Sequence, residues 1–158
     1  MKRLIGILAV TCFFSSPLVS QTWDKYPMYE EYLSTIEEFQ ANYPELCKIY
    51  EIGESVQGRK LLVAKISDNV ETDEKEPGFL CHAAMHGDEL LGYMLMQRLI
   101  DSLLAGYGTD PLCTKLVDNI EIYIAPLVNP DGAYYGGNGT VTKARRVNAN
   151  GVDLLPEL

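Results

Sequence analysis

The segment Gly78-Phe-Leu-Cys-His-Ala-Ala-Met-His-Gly-Asp-Glu89 packs three structural signals into a short stretch. An apolar run reads as a buried strand and ends at His86, Gly87-Asp88 forms a sharp corner, and Glu89 opens a long amphipathic stretch. That order puts an imidazole at the carboxyl end of a strand and a carboxylate at the start of a helix. In open α/β sheets, ligands bind in the crevice beyond those strand ends. A His nitrogen with a Glu oxygen makes up two-thirds of a shell common in catalytic zinc sites, two His and one Glu, which leaves the fourth position to water. The same pair also suits a plainer arrangement, in which a His ends a strand and a Glu stabilises a helix start through the dipole.

The surrounding periodicity supports an α/β reading. Tyr29, Tyr32, Leu33, Ile36, Phe39 and Tyr43 recur three or four residues apart, which predicts a helix over 28–43. Tyr43-Pro44 stops it, because proline disfavours the helical conformation in the residue before it. Residues 47–52 and 60–67 read as strands joined by a turn from Gly53 to Gly58, and Asp68 to Pro77 as a charged loop. Residues 78–84 form a third strand. Leu95, Met96, Leu99, Ile100 and Leu103 line one face of a helix from about Asp88 to about Gly106. A short helix is expected near 110–117, a β-branched strand at 120–125, a turn at Leu127-Val-Asn-Pro-Asp-Gly132, and a long Gly- and Asn-rich loop over 135–150. Strands mixed with helices and apolar on both faces predict an α/β domain. The expected sheet is mixed and mostly parallel, with helices on both faces. There is no internal repeat and no interdomain linker.

The first residues have a separate logic. Lys2-Arg3, the apolar run Leu4 to Phe14 and the small residues around Ser15-Ser16-Pro17 and Val19-Ser20 lay out a secretory signal peptide over residues 1–20, with cleavage after Ser20. A retained membrane anchor is the alternative, although the run is short for a bilayer. The expected location is therefore secreted or periplasmic. Residues 21–158 would make one domain with a moderate core. Loss of Lys2 and Arg3 leaves 11 basic against 22 acidic residues, a net charge of −11. Such a chain repels nucleic acid and anionic membrane, so neither is an expected partner. Cys47, Cys81 and Cys113 are an odd number and match no metal-binding spacing, so at least one thiol is unpaired.

Three other features bear on the candidate site. His82 is the only other histidine. In an extended strand its α-carbon lies about 13 Å from that of His86, too far for a shared metal, which makes His82 a core or supporting residue. Asn129-Pro-Asp-Gly132 follows a strand and is composed of strong turn formers. In Arg145-Arg-Val-Asn-Ala-Asn-Gly-Val-Asp-Leu154 the arginines suit solvated charge. In a metal site an arginine there can instead stabilise an oxyanion, and an aspartate can orient a ligand imidazole.

Taken together, the helix ending in Tyr43-Pro44, the Ile52-Gly-Glu-Ser-Val-Gln-Gly-Arg59 turn, His86-Gly-Asp-Glu89, Asn129-Pro-Asp-Gly132 and Asn148-Ala-Asn-Gly-Val-Asp153 resemble the zinc carboxypeptidases of the carboxypeptidase A type, from about Met28 to Leu154. The resemblance implies one zinc ion held by His86 and Glu89 as the first two ligands, and a peptide or protein substrate. It implies Arg146, or its neighbour Arg145, as the arginine that polarises the scissile carbonyl, and Asp153 as the carboxylate that hydrogen-bonds His86. Asn129 to Gly132 resembles a structural turn. The family hydrolyses C-terminal peptide bonds with a zinc-activated water.

The pattern then departs. The family continues Asn-Arg-Asn-Phe after Gly-Val-Asp-Leu, whereas this chain reads Leu155-Pro-Glu-Leu158. No residue here matches the carboxylate-gripping Asn-Arg pair, the third zinc ligand, the substrate-contacting tyrosine or the glutamate that serves as general base. The expectation is the N-terminal part of a catalytic domain over 21–158, a truncated product incomplete at its C-terminus and weakly active or inactive. Two alternatives stand beside it: a zinc-dependent amidohydrolase of N-acyl amino acids, which shares H-x-x-E, and a non-catalytic exported fragment.

Overall fold

The computed structural model describes residues 23–154; the expected signal peptide at 1–20 and the tail from Leu155 lie outside the described residues. Helix α1 spans Tyr29–Asn42 and is followed by Tyr43-Pro44 as expected. At its start the Glu31 carboxylate accepts a 2.8 Å hydrogen bond from the Met28 backbone N–H, satisfying one of the donors a helix leaves open at its N-terminus. Strands β1 (Cys47–Glu54) and β2 (Lys60–Ile66) form a hairpin. Its turn closes with Gly58 at φ 74°, a left-handed conformation that suits glycine. Strand β3 (Gly78–His82), helix α2 (Leu90–Gly106), helix α3 (Pro111–Val117), strand β4 (Glu121–Ala125) and the single-turn helix α4 (Pro130–Ala133) complete the order. In α3, Pro111 occupies the first turn and Asp110 caps the backbone N–H groups of Leu112 and Cys113.

The sheet order is β1-β2-β4-β3. Strand β4 runs parallel to β3, and α2 and α3 fill the crossover that a parallel pair requires. It runs antiparallel to β2, as β1 does. The α/β class and the mixed sheet hold, but two of the three pairings among the described residues are antiparallel, against the expectation of a mostly parallel sheet. The cause is local. The turn between β1 and β2 is too short for anything but a hairpin, and β4 returns between β2 and β3.

Alternation along β2 and β4 sets the core. Leu62, Ala64 and Ile66 of β2 and Ile122 and Ile124 of β4 pack with Tyr32, Ile36 and Phe39 of α1 and Tyr93, Ile100, Leu103 and Leu104 of α2. Among the described residues these helices lie on one face. The other face carries a Lys65–Glu121 ion pair at 2.7 Å, roofed by the loop after β2 through a Lys65 Nζ bond to Thr72 O of 2.8 Å. Helices on both faces are therefore not what the described residues show. The stripe of α2 is also rotated from the expected one: Tyr93, Gln97, Ile100 and Leu103 face inward, whereas Leu95 is exposed.

Strand β3 corrects the reading of a buried run. It pairs with β4 alone, and Phe79 and Leu80 are 56% and 62% exposed. It ends at His82 rather than at 84 or His86, because Ala84 takes φ 49°, a left-handed conformation that turns the chain out of the ladder. His82 is exposed and pairs with Ala125, so it is neither a core nor a supporting residue. Cys47, Cys81 and Cys113 are free; burial pushes the Cys47 thiol up to about 12.

Candidate metal centre

The corner after β3 is built backbone on backbone. Ala83 N donates to Ala125 O at 3.0 Å, Val128 N to Ala83 O at 3.1 Å and Asn129 N to Ala84 O at 2.9 Å. The chain leaving β3 is thus zipped to the chain leaving β4. Gly87 then lies directly on the Asn129–Gly132 turn: a β-carbon there would come within 2.3 Å of Ala133 N and of Gly132 C. Asn129 caps α4, accepting from Gly132 N at 2.9 Å, and its side-chain amide donates to Arg146 O at 3.1 Å. Gly87 N donates to the same carbonyl at 3.2 Å. The Asn-Pro-Asp-Gly turn is a structural platform, as the resemblance implies, and it supports both the His86 corner and the arginine loop.

On this platform His86 is buried, 8% exposed, with Nδ1 2.9 Å from Glu89 Oε1. Glu89 is the N-cap residue of α2, yet its side chain makes no capping bond. It turns to the imidazole instead. The other ring nitrogen, Nε2, lies 3.2 Å from Asp153 Oδ1. The second oxygen of Asp153 accepts from Arg146 Nε at 2.6 Å. Asp153 reaches this position because Asn148 ties the intervening loop into a knot. The Asn148 side-chain oxygen accepts from Asn150 N and Val152 N, both at 3.0 Å, and its backbone N–H donates to Val152 O.

The structure separates the two arginines. Arg145 sits over the Tyr135 ring at 3.5 Å and donates to Asn148 O at 3.1 Å. Arg146 is the one beside Asp153 and the His86 corner. Adjacent residues in an irregular loop point different ways.

The donor chemistry fits zinc. An imidazole nitrogen and a carboxylate oxygen 2.9 Å apart can both lie within ~2.1 Å of one ion. The ring nitrogen facing away from Glu89 has the Asp153 carboxylate 3.2 Å away, a contact short of hydrogen-bond geometry, on the side where a carboxylate orients metal-ligating histidines. The set is partial. Among the described residues, the group of three or more His, Cys, Asp or Glu donors within 4.8 Å of one another is Asp68, Glu74 and Glu76. Those lie in the loop at the Glu121 end of β4, the far end from His86.

A second polar network escaped the sequence reading. Arg59 Nη1 donates to Asp131 Oδ1 at 2.7 Å, with side chains 10% and 1% exposed. Ser55 Oγ and Gln57 N donate to the same carboxylate at 2.7 and 3.1 Å. Arg59 also reaches Asn138 Oδ1 at 3.0 Å and Tyr134 O at 3.2 Å. This clamp fastens the β1–β2 turn to the platform. Both motifs were visible as turns, but 72 residues of chain separate the partners.

Comparison with known proteins gives a consistent picture. The zinc carboxypeptidase family matches over residues 32–155. Carboxypeptidase D of Homo sapiens is 40% identical over 118 residues, 73% of this chain and 9% of that protein. A zinc carboxypeptidase of Saccharothrix mutabilis subsp. capreolus is 36% identical over 135 residues, 83% of this chain and 31% of that protein. Among solved structures, thrombin activatable fibrinolysis inhibitor superposes with a TM-score of 0.71 at 26% identity, covering 80% of this chain and 30% of that one. Carboxypeptidase A from Helicoverpa armigera gives 0.68 at 26% identity, with the same coverage. The chain spans less than a third of the length of each of these relatives.

Proposed function

Because the chain belongs to the zinc carboxypeptidase family, we propose that it carries the metal-binding corner of a peptidase that hydrolyses C-terminal peptide bonds. The observation that carries this reading is His86 between two carboxylates, Glu89 at 2.9 Å on one nitrogen and Asp153 at 3.2 Å on the other. His86 Nδ1 and Glu89 Oε1 are the donors that would hold zinc, which activates a water and polarises a carbonyl when bound. Asp153 fixes the imidazole ring. The Arg146 guanidinium supplies positive charge beside the corner, where a tetrahedral oxyanion is stabilised by preorganised donors. The substrate is a peptide or protein.

The described residues bring neither a third ligand nor a carboxylate base to the corner. With these two donors alone the corner would bind zinc more weakly than a three-ligand site. Zinc titration of the purified chain, with and without His86→Ala, tests the corner: the substitution should weaken binding by more than tenfold, and unchanged binding would sink the reading. A panel of peptides against N-acyl amino acids, with chelator controls, tests the activity, and robust chelator-sensitive release from acyl amino acids would favour the amidohydrolase. We also propose export, supported by the layout of residues 1–20. The mature product should begin at Gln21, which N-terminal sequencing of the exported protein checks.

A further inference from the structure

We infer that Arg145 and Lys143 form an anion-accepting subsite beside the corner, which favours peptides carrying an acidic side chain near the bond to be cleaved. The inference rests on the peptidase reading above and names the class of peptide. The Arg145 guanidinium is held in place from two directions. It stacks on the Tyr135 ring at 3.5 Å, and its Nη2 donates to Asn148 O at 3.1 Å and to Ala149 O at 3.5 Å. Nη1 makes no hydrogen bond among the described residues. Tyr135 is 50% exposed, so the stacked pair stands at the surface. Lys143 reaches the same place. A β-carbon at Gly136, the residue after Tyr135, would lie 3.0 Å from Lys143 Cβ and 3.3 Å from its Cγ and Cδ. The lysine stem therefore runs along that backbone, and its exposed ammonium stays in water.

The charges of this pair are unmatched in a chain with 22 acidic residues and a net charge of −9. Lys25, Lys48, Arg59, Lys60 and Lys65 each meet a carboxylate, whereas Lys143 and Arg145 meet none among the described residues. A planar guanidinium already stacked on a ring is preorganised to accept a carboxylate, and it loses little freedom when it does so. The subsite also adjoins the corner. Arg145 N donates to Gly132 O of the platform at 3.0 Å, and its α-carbon is about 3.8 Å from that of Arg146. An extended peptide advances about 3.3 Å per residue, which brings a side chain about two to four residues from the scissile bond within reach of Arg145.

The test is a titration of the full chain, followed by NMR, with peptides that differ only in Glu or Gln at one position. Amidated C-termini remove the terminal carboxylate as a second source of the same charge, and a parallel set keeps it. At the best position Glu should bind roughly three- to tenfold more tightly than Gln. In Arg145→Met that preference should shrink to less than about twofold, and Arg145→Lys should keep part of it. Lys143→Met, at an exposed position that leaves the fold intact, should lower the preference by a smaller factor. Equal binding of Glu and Gln peptides overturns the inference. So does a preference that survives in the Arg145→Met/Lys143→Met double variant, or one that follows the free C-terminus and ignores the side chain. A further measurement needs no variant: the preference should collapse as ionic strength rises from about 0.05 to about 0.5 M, and a salt-independent preference also overturns the inference. If peptides of neither kind bind, the peptidase reading fails and takes the inference with it. If both kinds bind alike, the inference alone fails.

Discussion

Gly87 has no room for a side chain, and that single constraint shapes the corner. Its missing β-carbon is what lets His86 and Glu89 descend onto the Asn129–Gly132 platform, with backbone atoms at 2.3 Å from where that carbon would be. Backbone on both sides cannot yield as a flexible side chain can. Gly87→Ala should therefore cost about 3 kcal/mol or more, the upper end for overpacking, and should weaken zinc binding together with stability. Urea unfolding and zinc titration of the same variant check this; near-native stability would mean that the two loops are not in contact. Ala84 supports the same corner differently. Its left-handed φ of 49° is uncommon for a residue with a β-carbon, and it ends β3 early so that His86 lies beyond the ladder.

The elements meet the site through polar clamps rather than through apolar contact. The β1–β2 turn, α4 and the loop after it are joined by Arg59 and Asp131, whose side chains are almost fully buried. Breaking a buried pair by removing one partner strands the other, at about 3–5 kcal/mol. Arg59→Met should lose stability on that order, and adding Asp131→Asn should restore part of it, because the stranded group is then neutral. Equilibrium denaturation of the single and double variants measures both; equal losses would show that the charge pair is not the cause. A tyrosine cluster closes the same junction: Tyr93 Oη and Tyr134 Oη lie 3.0 Å apart, and Tyr134 donates to Pro27 O at 2.9 Å. Burial pushes the Tyr134 hydroxyl up to about 12, so it stays protonated at neutral pH.

Across the full sheet the two faces differ, and so does their response to pH. The helix-covered face is apolar, whereas the opposite face holds Lys65 and Glu121 at 2.7 Å. The bond to Lys65 holds the Glu121 carboxyl below its usual 4.5. Burial is the largest single influence on Lys65 and opposes its charge, but the bond to Glu121 together with the attraction of Tyr123, Glu121 and Tyr50 outweighs it, and the amine is held above its usual 10.5. A carboxyl depressed on folding contributes stability above its unfolded pKa and loses it as pH falls through the folded value. A raised amine contributes below its unfolded pKa and loses it as pH rises through the folded value. The pair should therefore stabilise the fold between about pH 4.5 and 10.5 and weaken in acid. Glu121→Gln should lower the melting midpoint at about pH 6, and the gap to the unmodified chain should narrow as the pH falls below 4.5. A gap independent of pH would show that the pair contributes nothing.

Much of this was written along the chain. Every helix and strand of the described region was foreseen except the single-turn α4, which the sequence read as a turn; α1, α2 and β4 carry apolar patterns that neighbouring segments do not contradict. His86 and Glu89 were nameable because a corner and three residues of spacing bring them together locally. Apolar content could not tell a central strand from an edge, since Phe79 and Leu80 would read the same in either. Nor could it tell how β2, β3 and β4 pair, because strand order depends on where a crossover lands. The different directions taken by Arg145 and Arg146, the approach of Asp153 to Arg146, and the union of Arg59 with Asp131 needed the folded chain. Each is a contact between loops whose sequence carries turn chemistry but no direction, and direction comes only from the backbone surfaces against which they close.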